Sequence, residues 1–365
     1  MAIPLGSKEA FLSVVRLGIS HIATILPKTI EWEDMRALAS EQGLSAIVLD
    51  GAQALTDRGE LKDGRMMDVK LKKRWIGNVI QNYELKYEDY RKRIGQLAHF
   101  YNEHGFKLMI LKGYGLSLNY PFPQHRPVGD IDIWAFGWYK EADAALSREL
   151  GIKIDKSHHH HTVFRWKGYT VENHYDWVNV FAHRSSAQME KLFKELAKDD
   201  SCYVEIDGQR VYLPSPNLHA LFLLRHTMSH FVSTSMTVRQ LLDWGLFVEK
   251  HTSEIDWDWL VRTLERFHMK DFFICLNAIC VFDLGFDVSI FPPMQINVFL
   301  KDRILNDMLS PEFSESQPSG FFKRIMFKYR RWRANGWKHL LCYKESRFSS
   351  FITGLWAHVL KLSSI

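Results

Sequence analysis

The stretch Gly129-Asp130-Ile131-Asp132-Ile133 alternates acidic and branched apolar residues, and it constrains the fold more than any other part of the chain. Successive side chains on a strand point to opposite faces. Ile131 and Ile133 are therefore expected to point into a core, while Asp130 and Asp132 share the opposite face. The alternation predicts a sheet with one apolar surface and one surface that carries paired carboxylates.

Other short β-like runs surround this strand. Phe106–Leu111 is one, and Ile131 to Phe136 continues the acidic stretch. Lys167-Gly168 has the length and residue type of a tight hairpin turn. It connects extended segments at 161–166 and 169–177, and a smaller hairpin is predicted at 203–212 around Asp207-Gly208. Several strands are thus predicted in the middle of the chain.

Helical patterns occupy the two sides of this β-rich middle. Residues 1 to about 105 have helical spacing, with a predicted buried stripe of Tyr87, Tyr90, Ile94, Leu97 and Tyr101. Ser215-Pro216 suits a helix start, and helices are predicted from there to about residue 285. The predicted class is α+β, a mixed sheet with flanking helices between N- and C-terminal helical regions. Four parts are predicted: helices at 1–105, a core at 106–200, a helical domain at 201–310 and a basic aromatic segment at 311–365.

Charge and cysteine content give a further constraint. The 365 residues carry a formal charge of +5, but ten basic residues and one acidic residue lie between 321 and 365. The four cysteines form no CxxC pair, which favours a reducing compartment. We see no signal peptide and no apolar run of the roughly 20 residues that a spanning helix needs. A cytoplasmic protein without a transmembrane segment is expected.

The paired aspartates indicate the chemistry. Two carboxylates on one face repel unless protons or cations neutralise them, and hard divalent ions prefer oxygen ligands. Mg²⁺ is the favoured ion, with Mn²⁺ as a substitute. Glu172 and His174 lie on a second β segment and again share a face, so Glu172 supplies the third carboxylate that a two-metal site needs. The alternative is a solvated strand face that binds no metal.

These residues resemble a known pattern. The chain is similar to the DNA polymerase β-like nucleotidyltransferase superfamily, and most closely to its uncharacterised bacterial branch. The resemblance covers roughly residues 105 to 180, and it rests on Leu111-Lys112-Gly113, Tyr120-Pro121, Arg126, Gly129–Ile133 and Glu172-Asn173-His174.

The resemblance implies a polymerase β-like core that binds an NTP and Mg²⁺. A substrate hydroxyl would attack the α-phosphorus and pyrophosphate would leave. Asp130 and Asp132 match the paired metal ligands, and Glu172 matches the third carboxylate, which can serve as the base. The acceptor stays open between a small molecule, a protein side chain and an RNA end, because one fold hosts all of these.

The nucleotide-binding residues are expected around the two glycine-containing turns. The resemblance places Gly113 near the phosphates, although Gly113-Tyr114-Gly115 and the 17-residue spacing to Asp130 depart from the superfamily pattern. Gly129 precedes the acids directly. Phosphoryl transfer needs basic groups beside the metal ligands, and Lys112 and Arg126 are the bases at hand. Their alternatives are a solvated lysine and a structural arginine.

Histidines and one charged pair complete the candidates. His161 and His174 are predicted pocket members, whereas metal binding by the whole run 158–161 is disfavoured because neighbouring strand residues face opposite ways. His226 and His230 lie four apart without the Glu of HExxH, so a core or pocket role is predicted. Arg239 and Asp243 predict an intrahelical ion pair, or, by analogy with related transferases, a contribution to the nucleotide cleft from a capping helical domain.

Three functions remain open from the sequence. The first is the Mg²⁺-dependent nucleotidyltransferase. The second is a DxD glycosyltransferase, which does not account for the Lys-Gly turn or for Glu172. The third is a non-catalytic interaction protein that binds an anionic partner through residues 321–360. Nucleic acid and an acidic membrane surface both suit a basic amphipathic helix. The alternative for that segment is an apolar face packed on the helical domain.

Overall fold

The computed structural model describes residues 5–22, 26, 28–180, 183, 185–233, 235–315 and 317–346. These residues form two compact units of a mixed α+β protein. The sheet unit consists of residues 80–222 with 253–256. The helical unit consists of the described residues up to 79, together with 223–252 and those from 257 onward.

The described helices and strands have the following bounds. The α-helices are α1 Leu5–Gly18, α2 Trp32–Glu41, α3 Ser45–Asp57, α4 Val69–Val79, α5 Leu85–Glu103, α6 Tyr114–Ser117, α7 Tyr139–Leu150, α8 Ser186–Leu196, α9 Pro216–Ser233, α10 Val238–His251, α11 Trp257–Arg266, α12 Lys270–Leu284, α13 Val298–Leu309, α14 Phe321–Ala334 and α15 Gly336–Cys342. The strands are β1 Met109–Ile110, β2 Ile131–Trp134, β3 His161–Trp166, β4 Tyr169–His174, β5 Tyr203–Ile206 and β6 Gln209–Tyr212. A π-helical segment, Ile80–Glu84, separates α4 from α5.

The six strands form one mixed sheet in the order β3-β4-β2-β1-β6-β5. β2 pairs with β4 and β1 with β6 in parallel, and the other neighbours are antiparallel. Both predicted hairpins are present. Lys167 and Asp207 each adopt positive φ before a glycine in these turns, which suits two-residue hairpin loops.

One face of this sheet is covered by α5 and α7. Their apolar residues form a core with residues from the strands, including Tyr90, Ile94, Ile131, Ile133, Ala142 and Val171. The predicted buried stripe on α5 is confirmed, since all five of its members are buried. The two isoleucines of the acidic stretch point into this core, as the alternation predicts.

Three predicted strands are shorter than expected. The segment Phe106–Leu111 contributes only β1, β2 ends at Trp134 rather than Phe136, and β4 ends at His174 rather than Trp177. Backbone hydrogen bonds from Tyr212 to the carbonyl of Leu108 and from Leu111 to that of Asp132 extend the pairing at each end of β1. The flanking residues therefore join the sheet without continuing the ladder.

The C-terminal basic segment is not a separate appendage over its described part. α15 is buried in the helical unit, where the ammonium of Lys338 pairs with Asp307 and both side chains are almost fully enclosed. Arg225 also donates a 2.6 Å hydrogen bond to the hydroxyl of Tyr343. Residues 347–365 of the predicted basic segment lie outside the described residues.

α14 exposes the apolar stripe that the sequence indicates. Phe327 is buried, with its ring 5.3 Å from that of Phe313. The stripe itself is exposed and consists of Phe322, Ile325, Met326, Tyr329 and Trp332. Packing on the helical domain, the alternative drawn from the sequence, therefore does not bury these five side chains. Among the helices that the structure describes, none has the length and apolar content to cross a bilayer.

Candidate active site

The site is built on the sheet face opposite α5 and α7. Asp132 of β2 and Glu172 of β4 are direct cross-strand partners, and His174 lies two residues further along β4. One ligand atom from each of the three side chains lies within 4.8 Å of the other two. The sheet register therefore brings Asp132 close to a carboxylate and an imidazole that lie about forty residues later in the sequence.

Asp132 is buried and surrounded by positive groups. Its Oδ1 lies 2.7 Å from Nζ of Lys112 and 3.3 Å from Nε2 of His174. Burial alone would raise the pKa of the Asp132 carboxyl, but Lys112 and His174 outweigh this and hold the pKa far below its usual range. Asp132 is therefore a buried carboxylate that stays ionised.

His174 connects the two carboxylates. Its Nε2 also lies 3.6 Å from Glu172 Oε2, while Nδ1 is 3.4 Å from the carbonyl oxygen of Asp176. Burial lowers the pKa of His174, but hydrogen bonds to Asp132 and Glu172 outweigh it and the net pKa is raised. The carboxylate oxygens of Asp132 and Glu172 thus favour a positive charge at the point where they converge on His174.

A buried aspartate on the far side of the sheet fixes this arrangement. Asp143 of α7 accepts hydrogen bonds from Thr162 Oγ1 at 2.7 Å and from Asn173 Nδ2 at 2.9 Å. Thr162 and Asn173 are paired across β3 and β4. Because neighbouring strand residues face opposite ways, holding Asn173 toward α7 directs Glu172 and His174 to the site.

The Lys112-Gly113 turn lies directly after β1. Gly113 has φ +57°, and a Cβ atom there would lie 2.4 Å from the hydroxyl of Tyr90. Buried Arg126 donates to the carbonyls of Gly113 at 3.3 Å and Pro127 at 3.2 Å. Arg126 therefore holds the turn that presents Lys112 to Asp132, which agrees with the structural alternative drawn from the sequence.

The remaining glycines occupy different environments. Gly115 lies in α6, where a Cβ atom would be 3.0 Å from the side chain of Leu213. Gly129 is exposed, and a Cβ atom there would meet nothing within 4 Å. Close packing thus restricts Gly115, whereas nothing in the packing around Gly129 requires a glycine.

Asp130 lies at the beginning of the acidic stretch. It precedes β2, its side chain is exposed, and its backbone carbonyl accepts a 3.0 Å hydrogen bond from Tyr90. Asp130 and Gly129 line an open cleft of about 420 Å³ with residues of the β3–β4 hairpin. Among the described residues, the groups of three converging ligands do not include Asp130. The strand begins at Ile131, as expected, and the predicted place of Asp130 beside Asp132 in a metal site stays a prediction.

Comparison with known protein families identifies the chain. Residues 28–281, more than two thirds of its length, match the family described as uncharacterised nucleotidyltransferase. The chain belongs to this nucleotidyltransferase family. The match includes the acidic face, the Lys112-Gly113 turn and the helices through most of α12, which places the protein in the transferase class. The comparisons with curated proteins and with solved structures gave no match.

In this nucleotidyltransferase family member, a second group of histidines adjoins the acids. His161 is the cross-strand partner of His174, and one ring nitrogen from each of His160, His161 and His174 lies within 4.8 Å of the others. Burial and the neighbouring histidines lower the pKa of His160 to about 3 and that of His161 to about 4. His160 was not among the predicted pocket residues, and its one signal in the sequence is its place in the histidine run.

The remaining candidates lie in the helical unit. Arg239 Nη1 is 3.7 Å from Asp243 Oδ2 on α10, so the predicted intrahelical ion pair is confirmed. His226 and His230 of α9 have their Nε2 atoms 3.1 Å apart. A contribution of Arg239 and Asp243 to nucleotide binding stays a prediction.

Proposed function

We propose that the protein is a Mg²⁺-dependent nucleotidyltransferase that moves NMP from an NTP to an acceptor hydroxyl and releases pyrophosphate. The observation that carries the proposal is the convergence of Asp132 and Glu172 on one sheet face, in a chain that belongs to a nucleotidyltransferase family. Mn²⁺ would substitute for Mg²⁺. The acceptor would be a small hydroxylated molecule, a protein side chain or an RNA end.

The residues present fit a divalent cation. Asp132 is an ionised buried carboxylate, and Glu172 presents a second carboxylate to the same point. Carboxylate oxygens are the ligands that Mg²⁺ prefers. Asp132 and Glu172 would hold the ion, and Asp130 would add a further carboxylate from the adjoining cleft. A bound Mg²⁺ would neutralise the phosphate charge that develops during transfer.

Each residue near the acids has a role in this proposal. Glu172 would accept the proton of the attacking hydroxyl. Lys112, which balances the charge of Asp132 at 2.7 Å, would contact a phosphate once nucleotide and metal are bound. Arg126 would position the Gly113 turn, and Gly113, Gly115 and Gly129 would allow close approach of the nucleotide. His161 and His174 would line the pocket.

The finer predictions about organisation belong to the same proposal. The core would be polymerase β-like, with the division into 1–105, 106–200, 201–310 and 311–365 as predicted from the sequence. Arg239 and Asp243 would contact the nucleotide from the predicted capping domain. The cysteines, of which Cys275, Cys280 and Cys342 are buried thiols, suit a reducing cytoplasmic compartment.

A second function is favoured by α14. We propose that this helix binds an acidic membrane surface. Between Phe321 and Ala334 it has six basic residues and no acidic one, and Phe322 is 82% exposed. Basic side chains flanking an exposed apolar stripe are typical of helices that lie in the lipid interface. If the protein binds membranes but transfers no nucleotide, it would be the non-catalytic interaction protein of the third alternative.

Transfer of label from nucleotide to acceptor tests the main proposal. The full-length protein would be incubated with each of four α-labelled NTPs, Mg²⁺ and a cell lysate, and the labelled product identified. We expect label from at least one NTP on an acceptor, and loss of labelling with EDTA or with Glu172→Gln. Turnover of a sugar nucleotide instead would support the glycosyltransferase, and no transfer from any donor would support the non-catalytic alternative.

A further inference from the structure

Three imidazole rings meet beside the acidic pair, on the same face of the sheet. The ring centroids of His160 and His161 are 4.4 Å apart, those of His161 and His174 are 5.1 Å apart, and those of His160 and His174 are 5.5 Å apart. One nitrogen of each ring lies within 4.8 Å of the other two. Three nitrogen ligands from two neighbouring chain segments thus converge on one point.

The backbone explains how two consecutive histidines reach the same point. β3 begins at His161, so His160 precedes the pleated part of the strand. The carbonyl of His160 accepts 3.1 Å hydrogen bonds from the amides of Tyr175 and Asp176, which close the end of the β3–β4 pair. Consecutive side chains face opposite ways only within a strand, so His160, which precedes β3, can approach the same point as His161.

The ring nitrogens supply a second, independent observation. Nδ1 of His160 and Nδ1 of His161 are buried, and neither has a hydrogen-bond partner within the described part of the chain. The His161 residue is only 7% exposed. Buried polar atoms in folded proteins are nearly always satisfied, so two neighbouring unsatisfied imidazole nitrogens indicate a missing partner.

The surroundings of His174 resemble those of a metal ligand. Its Nδ1 faces the carbonyl oxygen of Asp176 at 3.4 Å, which leaves Nε2 directed toward the cluster. Metal-ligating histidines commonly donate their second ring nitrogen to a backbone carbonyl or a carboxylate, which fixes the tautomer. Glu172 lies next to the same point, with Oε1 3.9 Å from Nε2 of His161.

We propose that His160, His161 and His174 form a binding site for a borderline transition-metal ion of the Zn²⁺ class, adjacent to the Asp132–Glu172 carboxylates. Imidazole nitrogen is a preferred ligand of Zn²⁺, whereas Mg²⁺ favours oxygen. Tetrahedral Zn²⁺ with bonds of about 2.0–2.1 Å brings its nitrogens to about 3.4 Å from each other, so the ring nitrogens would approach each other by at most about 1.4 Å on binding. A water molecule would take the fourth position, which leaves Glu172 to the proposed Mg²⁺ site.

This site is distinct in chemistry from the proposed Mg²⁺ site, although the two adjoin at His174 and Glu172. Zinc binding by the histidines requires no nucleotide and no transfer activity. The inference therefore stands or falls separately from the proposed function.

Direct zinc binding to the full-length chain is the test. The protein would be stripped with EDTA, dialysed, and titrated with Zn²⁺ against a chromophoric chelator, with Co²⁺ absorption as a second readout. We expect one Zn²⁺ per chain. Bound Co²⁺ should absorb intensely in the visible range, which indicates an ion with a low coordination number. His160→Asn and His161→Gln should each weaken Zn²⁺ binding by about tenfold or more, since even outer-shell partners contribute about 10- to 100-fold.

Two variants make the result decisive. His99→Gln changes an exposed histidine of α5 that pairs with Glu103, and it should leave Zn²⁺ binding unchanged. His226→Gln removes the close histidine pair of α9. If His226→Gln abolishes Zn²⁺ binding while His160→Asn retains it, or if wild type binds no Zn²⁺ at micromolar concentration, the proposal is overturned.

Folding and nucleotide binding are measured in parallel. Because His160 lies outside the strand and is only half-buried, His160→Asn should keep the circular dichroism spectrum and melting temperature of wild type. Magnesium-dependent nucleotide binding should be lost in Asp132→Asn whether or not Zn²⁺ binds. Loss of Zn²⁺ binding in His160→Asn, with unchanged folding, supports the histidine site irrespective of the outcome for nucleotide transfer.

Discussion

Asp132 and Glu172 face each other across the parallel strands β2 and β4, while Asp130, two residues upstream of Asp132, lies outside the strand. The pairing of β2 with β4 therefore determines which carboxylates converge, more than the two-residue spacing between the aspartates does. It also changes what substitutions at these positions are expected to do.

Asp132→Asn should destabilise the protein as well as abolish Mg²⁺-nucleotide binding. Asp132 neutralises Lys112 at 2.7 Å and His174 at 3.3 Å in a buried setting, so its loss leaves charged groups poorly compensated. We expect a loss of about 1–3 kcal/mol in the free energy of unfolding, measured by urea denaturation. The sequence alone predicts intact folding, because it indicates that the aspartates are needed for metal binding and not for packing.

Asp130→Asn is the matched control for that stability change. Its side chain is exposed, so unfolding should stay within about 0.5 kcal/mol of wild type. An equal destabilisation of both variants would contradict the importance of the Lys112–Asp132 ion pair. A ligand-induced rise in melting temperature as large in both variants as in wild type would remove the aspartates from the proposed metal site.

Glu172→Gln should impair transfer more than nucleotide binding. A group that accepts the proton of the attacking hydroxyl acts chiefly in the transition state. Single-turnover kinetics should show a rate at least about 100-fold below wild type, the lower end for a general base, with nucleotide affinity changed much less. Equal losses in affinity and rate would instead assign Glu172 to ground-state binding.

Gly113→Ala should destabilise the fold. The backbone φ of +57° costs a non-glycine residue about 1–2 kcal/mol, and the added Cβ would also meet the Tyr90 hydroxyl at 2.4 Å. Chemical denaturation should show a loss of at least that size. Gly129→Ala is the control, since its Cβ would meet no atom within 4 Å and unfolding should be nearly unchanged.

The free energy of unfolding should decrease between pH 4.5 and pH 7 because of Glu190. Burial raises the pKa of Glu190 to about 7, although the amides of Val178 and Trp177 donate hydrogen bonds to its carboxyl group. The folded state therefore holds the proton more tightly than the unfolded state. The stabilisation is fully present below the unfolded pKa and is lost as the pH rises through the folded pKa.

Glu190→Gln should remove this pH dependence. Subtracting the free energy of unfolding of the variant from that of wild type, between pH 4 and pH 8, isolates the contribution of Glu190. We expect the difference to change by about 3 kcal/mol over that window, from a shift of about 2.5 pH units. A difference that stays flat would show that Glu190 titrates normally in the folded protein.

Membrane binding by α14 should depend on both its apolar stripe and its charge. Phe322→Ser with Ile325→Ser should reduce cosedimentation with vesicles of anionic phospholipid, and binding to neutral vesicles should be weak throughout. Phe299→Ser is the control, because Phe299 is 91% exposed on a different helix, α13.

Point substitutions are preferable to truncation for this test. Removal of the chain after about residue 318 would delete buried Lys338, Cys342 and Tyr343 from the helical unit, so unfolding would obscure the result. Binding to RNA that falls steeply with salt, without binding to vesicles, would favour nucleic acid as the anionic partner.

Local sequence patterns predicted much of the framework. The turn residues at Lys167-Gly168 and Asp207-Gly208 located both hairpins, and Pro216 marked the start of α9. The stripe from Tyr87 to Tyr101 identified the covering helix α5. These features depend on interactions between residues close in sequence, which is why periodicity and turn chemistry were sufficient.

The site depended on contacts that local patterns do not encode. Alternation pairs Asp130 with Asp132 on one face, whereas the converging group among the described residues joins Asp132 to Glu172 and His174. The Lys112–Asp132 ion pair follows from the pairing of β1 with β2, and the approach of His160 to His174 follows from the closure of the β3–β4 pair. Both require knowledge of which strands are neighbours.

The position of Tyr90 has a consequence for sequence variation among relatives. Its hydroxyl donates to the carbonyl of Asp130 and occupies the space where a side chain at position 113 would begin. A larger residue at position 113 is compatible with this turn only if the hydroxyl at position 90 is lost. Aligned relatives should therefore show covariation between positions 90 and 113, and a relative with a non-glycine at 113 is expected to have phenylalanine or a smaller residue at 90.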